Sequence, residues 1–270
     1  MVLEKFDLSG KAIAITGAGR GLGEQMAYAL AHAGADLVLA SRTEKQLASV
    51  ADRVRSIGRK ALVLPTDVRD SAQCDRLVQA CVGEYGKIDV MLSNAGIGDR
   101  AGAGSSIMDL NDEDWRDTID VNLSSAFYCA RAAARFMSEA NSGVIINVSS
   151  GTALRGFPQS FAYGAAKAGV IALTKSLAVA LARYSVRANA IVPGFVSQFP
   201  PLNEQDEEQR KARGRFIPAQ RLGEATELGP LAVFLASEAS SYITGNIYII
   251  DGGGLADGLA PVGFAPAEAG

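Results

Sequence analysis

The chain has 270 residues, of which 48% are hydrophobic and 20% are charged, a balance typical of globular rather than disordered proteins. The formal net charge of −3 excludes the basic excess that binds nucleic acid or an anionic membrane surface. The length is compatible with one α/β domain over residues 1–270.

Short apolar runs alternate along the chain with longer helical patterns, and this alternation predicts βαβ units with parallel strands. The predicted strands are residues 11–16, 36–40, 61–64, 88–93, 144–148, 187–192 and 247–250. The predicted helices follow the first strand to about residue 34 and then cover residues 44–57, 71–84, 112–140 (interrupted at 121–123) and 163–184. The expected fold is therefore α/β, a doubly wound seven-stranded parallel sheet with helices on both faces.

Two segments fall outside this pattern. Residues 198–220 hold three prolines and a charge run from Glu204 to Arg215 that passes from acidic to basic, and they predict a mobile helical insert that acts as a substrate lid. Residues 255–270 are rich in Gly, Ala and Pro, so we expect a loosely held tail.

The cysteines and the first residues indicate a reducing compartment. Cys74, Cys81 and Cys129 form no CxxC motif and leave one thiol unpaired in any disulfide scheme, so we expect reduced, packed thiols. The first residues lack the apolar core of a signal peptide, and we expect no run of membrane-spanning length. We therefore expect a cytoplasmic protein without membrane or nucleic-acid partners. We interpret the single histidine, His32, as a residue on a helix face rather than a metal ligand, because a metal site would need more His or Cys ligands.

A glycine-rich turn lies between the first strand and the first helix. It reads Thr16-Gly17-Ala18-Gly19-Arg20-Gly21-Leu22-Gly23. Glycines allow a tight turn and a close approach of the backbone to a pyrophosphate, and the following helix offers free N–H groups to phosphates. Such a turn can also be a plain connector. The strand before it and the helix after it favour a dinucleotide site.

Further motifs follow in order. They are Asn94-Ala95-Gly96, Ser150, Tyr163-x-x-x-Lys167, Pro193-Gly194, Arg221-Leu222-Gly223 and Asp251-Gly252-Gly253. With the T-G-x-x-x-G-x-G spacing of the turn, the chain from Asp7 to Gly253 resembles the short-chain dehydrogenase/reductase family. The resemblance implies a Rossmann-type fold, a nicotinamide cofactor and hydride transfer between a carbonyl and an alcohol.

The end of the second strand bears on the choice of cofactor. Enzymes that use NAD place an acidic side chain there to bind the ribose hydroxyls, whereas this chain has Ser41 followed by Arg42. Arg42 and Arg20 are suited to hold a 2′-phosphate by charge-assisted bonds. This favours NADP, with NAD possible and with two solvated surface arginines as the alternative interpretation.

The resemblance assigns further cofactor contacts. It places Asp67 and Val68 at the adenine, Asn94 beside the cofactor at the central sheet, and Ala95-Gly96, Pro193-Gly194 and Val196 in the same site. Position 93 is Ser where the family usually has Asn. The family commonly has Thr four residues beyond Gly194, where this chain has Gln198; Ser197, Gln198 or the Val196 backbone are the alternatives for binding the carboxamide.

The expected chemistry needs a proton for a developing alkoxide and donors that polarise a carbonyl. Tyr163 and Lys167 lie four residues apart on one helix face, and a nearby ammonium lowers the pKa of a phenol. A Tyr-x-x-x-Lys pair is often only a surface pair. The resemblance adds Ser150, rather than Ser149, as the carbonyl-polarising donor and Asn122 as the anchor of a water relay. The Tyr–Lys spacing also differs from the wider spacing typical of enoyl reductases in the superfamily.

The substrate is less well defined. Residues 151–161 and the lid should shape an apolar pocket, although core packing explains the same side chains: Leu154, Phe157, Phe161, Phe195 and Phe199. A basic group in the lid suits an anionic carrier or is a solvated helix face; it comprises Arg210, Lys211, Arg213 and Arg215. A 3-oxoacyl thioester reductase, a sugar-acid or polyol dehydrogenase and a general ketone reductase remain open.

The resemblance also implies a homo-oligomer, a tetramer or a dimer, built from the two long helices. The rival from another functional class is a catalytically silent nucleotide sensor on the same fold. Such proteins typically lose the Tyr or the Lys, and this chain keeps both.

Overall fold

The computed structural model describes residues 2–98 and 106–256. Its main-sheet strands are β1 (Ala12–Thr16), β2 (Asp36–Ser41), β3 (Ala61–Pro65), β4 (Val90–Ser93), β5 (Gly143–Val148) and β6 (Val186–Pro193). A two-stranded parallel sheet is formed by β7 (Val196–Ser197) and β8 (Gly223–Glu224), and β9 (Ile247–Ile250) completes the main sheet. The helices are α1 (Gly21–His32), α2 (Glu44–Ser56), α3 (Ser71–Tyr85), α4 (Asp112–Ile119), α5 (Ser125–Ala140), α6 (Phe161–Leu181), α7 (Glu204–Gly214) and α8 (Leu228–Ala236).

The seven strands of the main sheet lie in the order β3-β2-β1-β4-β5-β6-β9, and all pairs are parallel. This confirms the predicted doubly wound α/β fold. The strand order reverses between β1 and β4, which creates the crevice at the carboxyl ends of strands where α/β proteins bind ligands.

Local signals explain several of the helix boundaries. Asp70 caps the start of α3 by accepting a bond from the Ala72 N–H, and Asn111 caps α4 in the same way. At the other end of α3, Gly86 has a φ of 76°, the left-handed conformation that glycine adopts without strain. These signals lie within a few residues of each boundary, so the sequence predicts most helix ends to within three residues.

The long helix predicted over residues 112–140 is divided in the structure. A π-helical turn, Asp120–Ser124, separates α4 from α5 at the predicted interruption. The insert 198–220 contains α7, as predicted, while α8 and the β7–β8 pair were not predicted. Residues 99–105, in the Gly-rich stretch 96–106 that the sequence predicts to be a loop, and residues 257–270 of the expected tail lie outside the described residues.

Two apolar clusters cover the two faces of the main sheet. One packs α1, α2 and α8 against the strands, and the other packs α3, α5 and part of α6 on the opposite face. Cys74, Cys81 and Cys129 are buried free thiols in the second cluster, as expected. His32 is an exposed residue at the end of α1.

One stretch of the described residues, Phe161–Tyr184, is long and apolar enough to cross a membrane by length and composition. The expectation that no run reaches this length is therefore wrong. The observation is weak evidence for a membrane span, because core helices of soluble proteins pass the same test. Here the helix packs against β6 and its buried residues include Ala166, Val170 and Ala178.

The close packing of the glycine turn predicts a large penalty for a small substitution. A Cβ at Gly23 would lie 2.2 Å from the Gly17 carbonyl oxygen and 2.5 Å from Asn94 Nδ2. We expect Gly23→Ala to lower the free energy of unfolding by about 2 kcal/mol, because backbone atoms must move. Gly83→Ala in α3 is the control: its Cβ meets no atom within 4 Å, so it should stabilise by about 0.5–1 kcal/mol. Urea unfolding measures the stability of both variants. If Gly23→Ala destabilises the chain no more than Gly83→Ala does, the packing argument is wrong.

Candidate functional site

A cavity of about 550 Å³ opens at the carboxyl ends of β1, β4, β5 and β6. Its wall contains most of the residues that the sequence analysis selected. The lining residues among them are Gly17, Gly19, Arg20, Leu22, Ser41, Arg42, Asp67, Val68, Asn94, Ala95, Gly96, Ser150, Tyr163, Lys167, Pro193, Gly194 and Val196. Three of the selected residues, Gly21, Gly23 and Asn122, are not lining residues.

The glycine turn forms a close-fitting cradle at one end of the cavity. Gly17 and Gly21 have φ values of 66° and 61°, in the left-handed region that favours glycine. A Cβ at Gly17 would lie 2.8 Å from Asn94 Nδ2. Helix α1 begins at Gly21, and Arg20 at its N-cap makes no side-chain capping bond among the described residues. The first N–H groups of α1 are therefore suited to bind a phosphate.

Asn94 joins the ends of β1 and β4. Its Nδ2 donates to the carbonyl oxygens of Thr16 and Gly17, each at 3.2 Å, and its backbone N–H donates to Thr16 Oγ1 at 3.1 Å. These bonds hold the glycine turn against the strand that precedes Ala95-Gly96. The geometry is that of a support for the central sheet, the role that the resemblance implies.

The rim beside β2 carries the two arginines selected for phosphate binding. Arg42 is exposed and lies near enough to Asp67 to contribute to lowering the pKa of that carboxyl, although the bonds from Arg69 contribute more. Arg20 is exposed and lies with Cζ 5.9 Å from the ring centroid of Phe199. Ser41 Oγ is covered, without a hydrogen-bond partner among the described residues, and would lie 2.9 Å from a Cβ at Gly19.

Helix α6 places Tyr163 and Lys167 together at the opposite end of the cavity. The Lys167 side chain is buried, its Nζ donates to the Val148 carbonyl oxygen at 3.0 Å, and Nζ lies 5.6 Å from the Tyr163 ring centroid. Burial lowers the pKa of Lys167 to about 8, since a charged amine loses its hydration there. The pair is thus not a surface pair.

The two serines after β5 have different surroundings. Ser149 is buried, and its Oγ donates to the Lys167 carbonyl oxygen at 2.7 Å. Ser150 Oγ accepts bonds from Thr152, from N at 3.3 Å and from Oγ1 at 3.1 Å. Because both of these bonds are accepted, the Ser150 hydroxyl proton is left to donate towards the cavity. This geometry favours Ser150 over Ser149 as a donor to a substrate.

Asn122 lies in the π-helical turn, buried behind Gly96. Its Oδ1 accepts from the Ile97 N–H at 3.2 Å, and its Nδ2 donates to the carbonyl oxygens of Ile97 at 2.8 Å and Thr118 at 2.9 Å. A Cβ at Gly96 would lie 2.8 Å from Asn122 Oδ1 and 3.4 Å from Lys167 Nζ. The absence of a side chain at Gly96 therefore allows these two groups to approach one another. Such π turns are frequent at functional sites.

Gln198 occupies the position where the family commonly has Thr. Its Oε1 would lie 3.0 Å from a Cβ at Gly21, and the residue lines the cavity. Ser197 Oγ instead donates to the Phe199 carbonyl oxygen at 2.9 Å. Of the two side chains considered from the sequence, Gln198 reaches the cradle and Ser197 is bonded within its own turn.

Several lining residues were not selected from the sequence. They are Thr43, Gln46, Thr66, Ile97, Gly98, Val121, Val148 and Ser149. Most are direct neighbours of selected residues, so a wider window around each motif would have found them. Gln46 is different: it belongs to the first turn of α2, and its Cβ lies 3.1 Å from the Cβ position of Gly19. No local sequence signal indicates that contact.

The predicted substrate-pocket side chains do not line this cavity. Phe157 and Phe195 are partly exposed and contact each other, with ring centroids 6.3 Å apart.

The basic residues of α7 are partly paired within the helix. Arg210 pairs with Asp206 and Lys211 with Glu207, each one helical turn away. These two basic residues thus have local partners. No group of three or more His, Cys, Asp or Glu side chains among the described residues is suited to a metal ion.

Comparisons with known proteins agree on one family. The family described as Enoyl-(Acyl carrier protein) reductase matches residues 17–254. The chain is 36% identical to 2-dehydro-3-deoxy-D-gluconate 5-dehydrogenase of Escherichia coli (strain K12), over 95% of this chain and 100% of the relative. It is 35% identical to the 3-oxoacyl-(acyl-carrier-protein) reductase FabG of Thermotoga maritima, over 91% and 98%.

Solved structures give the same result. A gluconate 5-dehydrogenase from Burkholderia cenocepacia J2315, in complex with NADP and tartrate, superposes with a TM-score of 0.85 at 34% identity. The match covers 95% of this chain and 99% of that chain. An NAD+-bound xylitol dehydrogenase superposes with a TM-score of 0.81 at 30% identity, over 90% and 98%.

The buried amine of Lys167 should make stability depend on pH. Its pKa is about 8 in the folded chain against an ordinary value of 10.5, so the unfolded chain holds this proton more tightly. The resulting cost, about 3 kcal/mol, is fully present below pH 8 and disappears as the pH rises towards 10.5. Lys167→Met should therefore stabilise the chain at pH 7, and the gain should shrink between pH 8 and 10.5.

Urea unfolding at several pH values measures this effect. Lys175→Met is the control, because Lys175 is exposed on the same helix. A gain at position 167 that does not change with pH would contradict the assignment of a buried, readily deprotonated amine.

Proposed function

The chain belongs to the short-chain dehydrogenase/reductase family of oxidoreductases, and we propose that it interconverts a carbonyl and a secondary alcohol with NADP as cofactor. The observation that carries this proposal is the position of Tyr163 beside the buried Lys167, in the same cavity as the glycine cradle. The turn is suited to a dinucleotide, because it packs against Asn94 and Ala95 with no room for side chains at Gly17 or Gly23, and this keeps its backbone at the cavity wall.

In the proposed mechanism the nicotinamide supplies or accepts the hydride. Tyr163 gives its hydroxyl proton to the developing alkoxide in the reductive direction and takes it back in oxidation. The Lys167 ammonium stabilises the phenolate of Tyr163 through its charge and is suited to donate to the nicotinamide ribose. Ser150 donates to the substrate oxygen and polarises the carbonyl. Asn122 orders the segment around Ile97 behind Lys167 and anchors the proton relay.

The rim of the cavity supports NADP over NAD. Arg42 and Arg20 are exposed cations there, and β2 ends in Ser41 without a carboxylate that would repel a 2′-phosphate. The adenine contacts would come from Asp67 and Val68, and Asn94, Ala95-Gly96, Pro193-Gly194 and Val196 would complete the cofactor site. The NAD-bound xylitol dehydrogenase keeps an NAD-dependent polyol or sugar dehydrogenase as the second candidate.

The substrate is proposed to be a small carbonyl or alcohol compound. Relatives named for a dehydrodeoxygluconate and for a 3-oxoacyl thioester support a sugar acid or a 3-oxoacyl substrate. The local pairing of Arg210 and Lys211 weakens the case for a carrier-binding surface on α7. The spacing of Tyr163 and Lys167 favours carbonyl over C=C reduction.

We also propose that residues 1–270 form one domain, with residues 198–220 as a lid, in a cytoplasmic homo-oligomer. The free, buried cysteines are compatible with a reducing compartment. Apolar side chains are exposed along α4, α5 and α6, at Trp115, Phe127 and Val179. Such a surface suits the predicted tetramer or dimer interface.

Tyr163→Phe tests the proposed chemistry. It should lower turnover by about 10²- to 10⁴-fold, because the proton donor is lost, while the affinity for NADPH stays nearly unchanged. NADPH oxidation with a panel of ketones and keto acids measures this, and Tyr184→Phe, in the short 3-10 turn that follows α6, is the control. Tight NADPH binding by the wild type with no turnover of any substrate would instead support the nucleotide sensor.

Arg42→Ala tests the choice of cofactor. Loss of a charge-assisted bond to the 2′-phosphate should weaken NADPH binding by about tenfold and leave NADH binding within about twofold. Fluorescence titration with both nucleotides measures the ratio. Lys45→Ala is the control, since Lys45 is an exposed cation on the adjacent turn that does not line the cavity. Equal losses for the two nucleotides would contradict a role in binding the 2′-phosphate.

A further inference from the structure

Arg69 connects two parts of the candidate site that are distant in the sequence. Its Nε lies 3.1 Å from both carboxylate oxygens of Asp67, and its Nη2 lies 2.5 Å from Asp67 Oδ2. On its other side, Nη1 donates to Asp117 Oδ1 at 2.9 Å. One guanidinium thus joins the loop after β3 to helix α4, across 48 residues of sequence.

The contacts continue from α4 into the π-helical turn. Thr118 follows Asp117 directly, and its carbonyl oxygen accepts from Asn122 Nδ2 at 2.9 Å. Asn122 in turn holds the backbone of Ile97 through both of its amide atoms. A continuous chain of bonds therefore leads from the adenine end of the cavity to the segment behind Lys167.

The geometry of this Asp67–Arg69–Asp117 bridge distinguishes it from an ordinary surface ion pair. The exposed fractions of the side chains are 40% for Arg69, 28% for Asp67 and 13% for Asp117. Isolated exposed pairs contribute little, because water and salt screen them. Here one planar guanidinium binds one carboxylate through two nitrogens and a second carboxylate through the third, and such forked bonds fix orientation as well as distance.

The Asp67 carboxylate also accepts a bond from the backbone of Arg69. The Arg69 backbone N–H donates to Asp67 Oδ1 at 3.1 Å, and the Asp67 N–H donates to Gln73 Oε1 at 2.9 Å. The Arg69 bonds lower the pKa of Asp67 and keep it ionised. An ionised carboxylate accepts hydrogen bonds only, which suits the exocyclic amino group of an adenine.

We propose that Arg69 is a positioning residue that orients Asp67 towards the adenine of the cofactor and, through Asp117, steadies the π-helical turn that carries Asn122. This inference rests on the proposed function, because it takes the occupant of the cavity to be an adenine dinucleotide. Arg69 does not line the cavity, and it acts through the two carboxylates.

The bridge predicts two effects that different variants separate. Arg69→Met should weaken binding of 2′,5′-ADP and of NADPH by about tenfold, because Asp67 loses its forked partner, and should also lower kcat at saturating NADPH several-fold. Asp117→Asn keeps the Asp67–Arg69 pair, so it should leave 2′,5′-ADP affinity within about twofold while lowering kcat. Arg69→Lys should restore part of the affinity, since it keeps the charge but not the fork.

The matched control is Arg116→Met. Arg116 lies on α4 next to Asp117 but pairs with Asp112 on its own helix, and both side chains are largely exposed. It should change neither quantity. In an Asp67→Ala background, Arg69→Met should cause no further loss of 2′,5′-ADP affinity, because the residue through which it acts is already absent.

Isothermal titration with 2′,5′-ADP and NADPH, steady-state kinetics and circular dichroism give the readouts. If Arg69→Met is folded and leaves affinity and kcat within twofold of the wild type, the inference is wrong while the proposed function stands. If Arg69→Met does not fold, Arg69→Lys and Asp117→Asn decide: wild-type behaviour of both overturns the inference. A wild-type chain that binds neither NADPH nor NADH refutes the proposed function itself.

Discussion

The attachment of helix α6 to the end of β5 is the interaction on which the candidate site depends. Both the side chain and the backbone of Lys167 take part in it. Lys167 Nζ donates to the Val148 carbonyl oxygen, and the Lys167 carbonyl oxygen accepts from Ser149 Oγ. Burying an amine costs free energy unless its hydrogen bonds are replaced. This desolvation of the charged amine lowers the pKa of Lys167. In return, the amine is held at one distance from the Tyr163 ring and from the strand that leads to Ser150.

A second constraint is the close approach of backbone segments where side chains are absent. Gly23 packs on the Gly17 carbonyl, and Gly96 leaves space between Asn122 and Lys167. In both places the nearest atoms belong to rigid backbone or to buried polar side chains. The two glycines therefore help to hold the glycine turn and the Tyr163–Lys167 pair at the wall of one cavity. This explains why residues behind the wall, such as Asn122, matter as much to its shape as those that line it.

The two ends of the cavity differ in what they specify. The wall at the strand ends contains Ser150, Tyr163 and Lys167, the groups proposed for carbonyl polarisation and proton transfer, and relatives with different printed substrates can share such groups. The proposed substrate side would be formed by residues 151–161 and by the insert with α7, while Phe157 and Phe195 contact each other outside the cavity lining. Loops positioned by a rigid sheet are where related enzymes usually change specificity.

The sequence by itself determined the alternation of strands and helices, the seven-stranded parallel sheet, and the spacing of Tyr163 and Lys167 on one helix face. Each of these follows from local patterns: apolar periodicity, glycine turns, caps, and the 3.6-residue helical repeat. Helix α8 escaped prediction, because its residues are apolar on most sides, with Gly229 packed closely against Ala29 of α1. An amphipathic period is absent from a helix buried in this way.

Only the tertiary structure decided which distant residues meet. It placed Asn122 behind Gly96, Gln198 and Gln46 against the glycine turn, and Arg69 between Asp67 and Asp117. It also separated Ser149, whose hydroxyl donates to the Lys167 carbonyl oxygen, from Ser150, whose Oγ accepts two bonds from Thr152. These contacts depend on how strands and helices from different parts of the chain pack together. Local sequence propensities do not determine such packing, because the partners lie tens of residues apart in the chain.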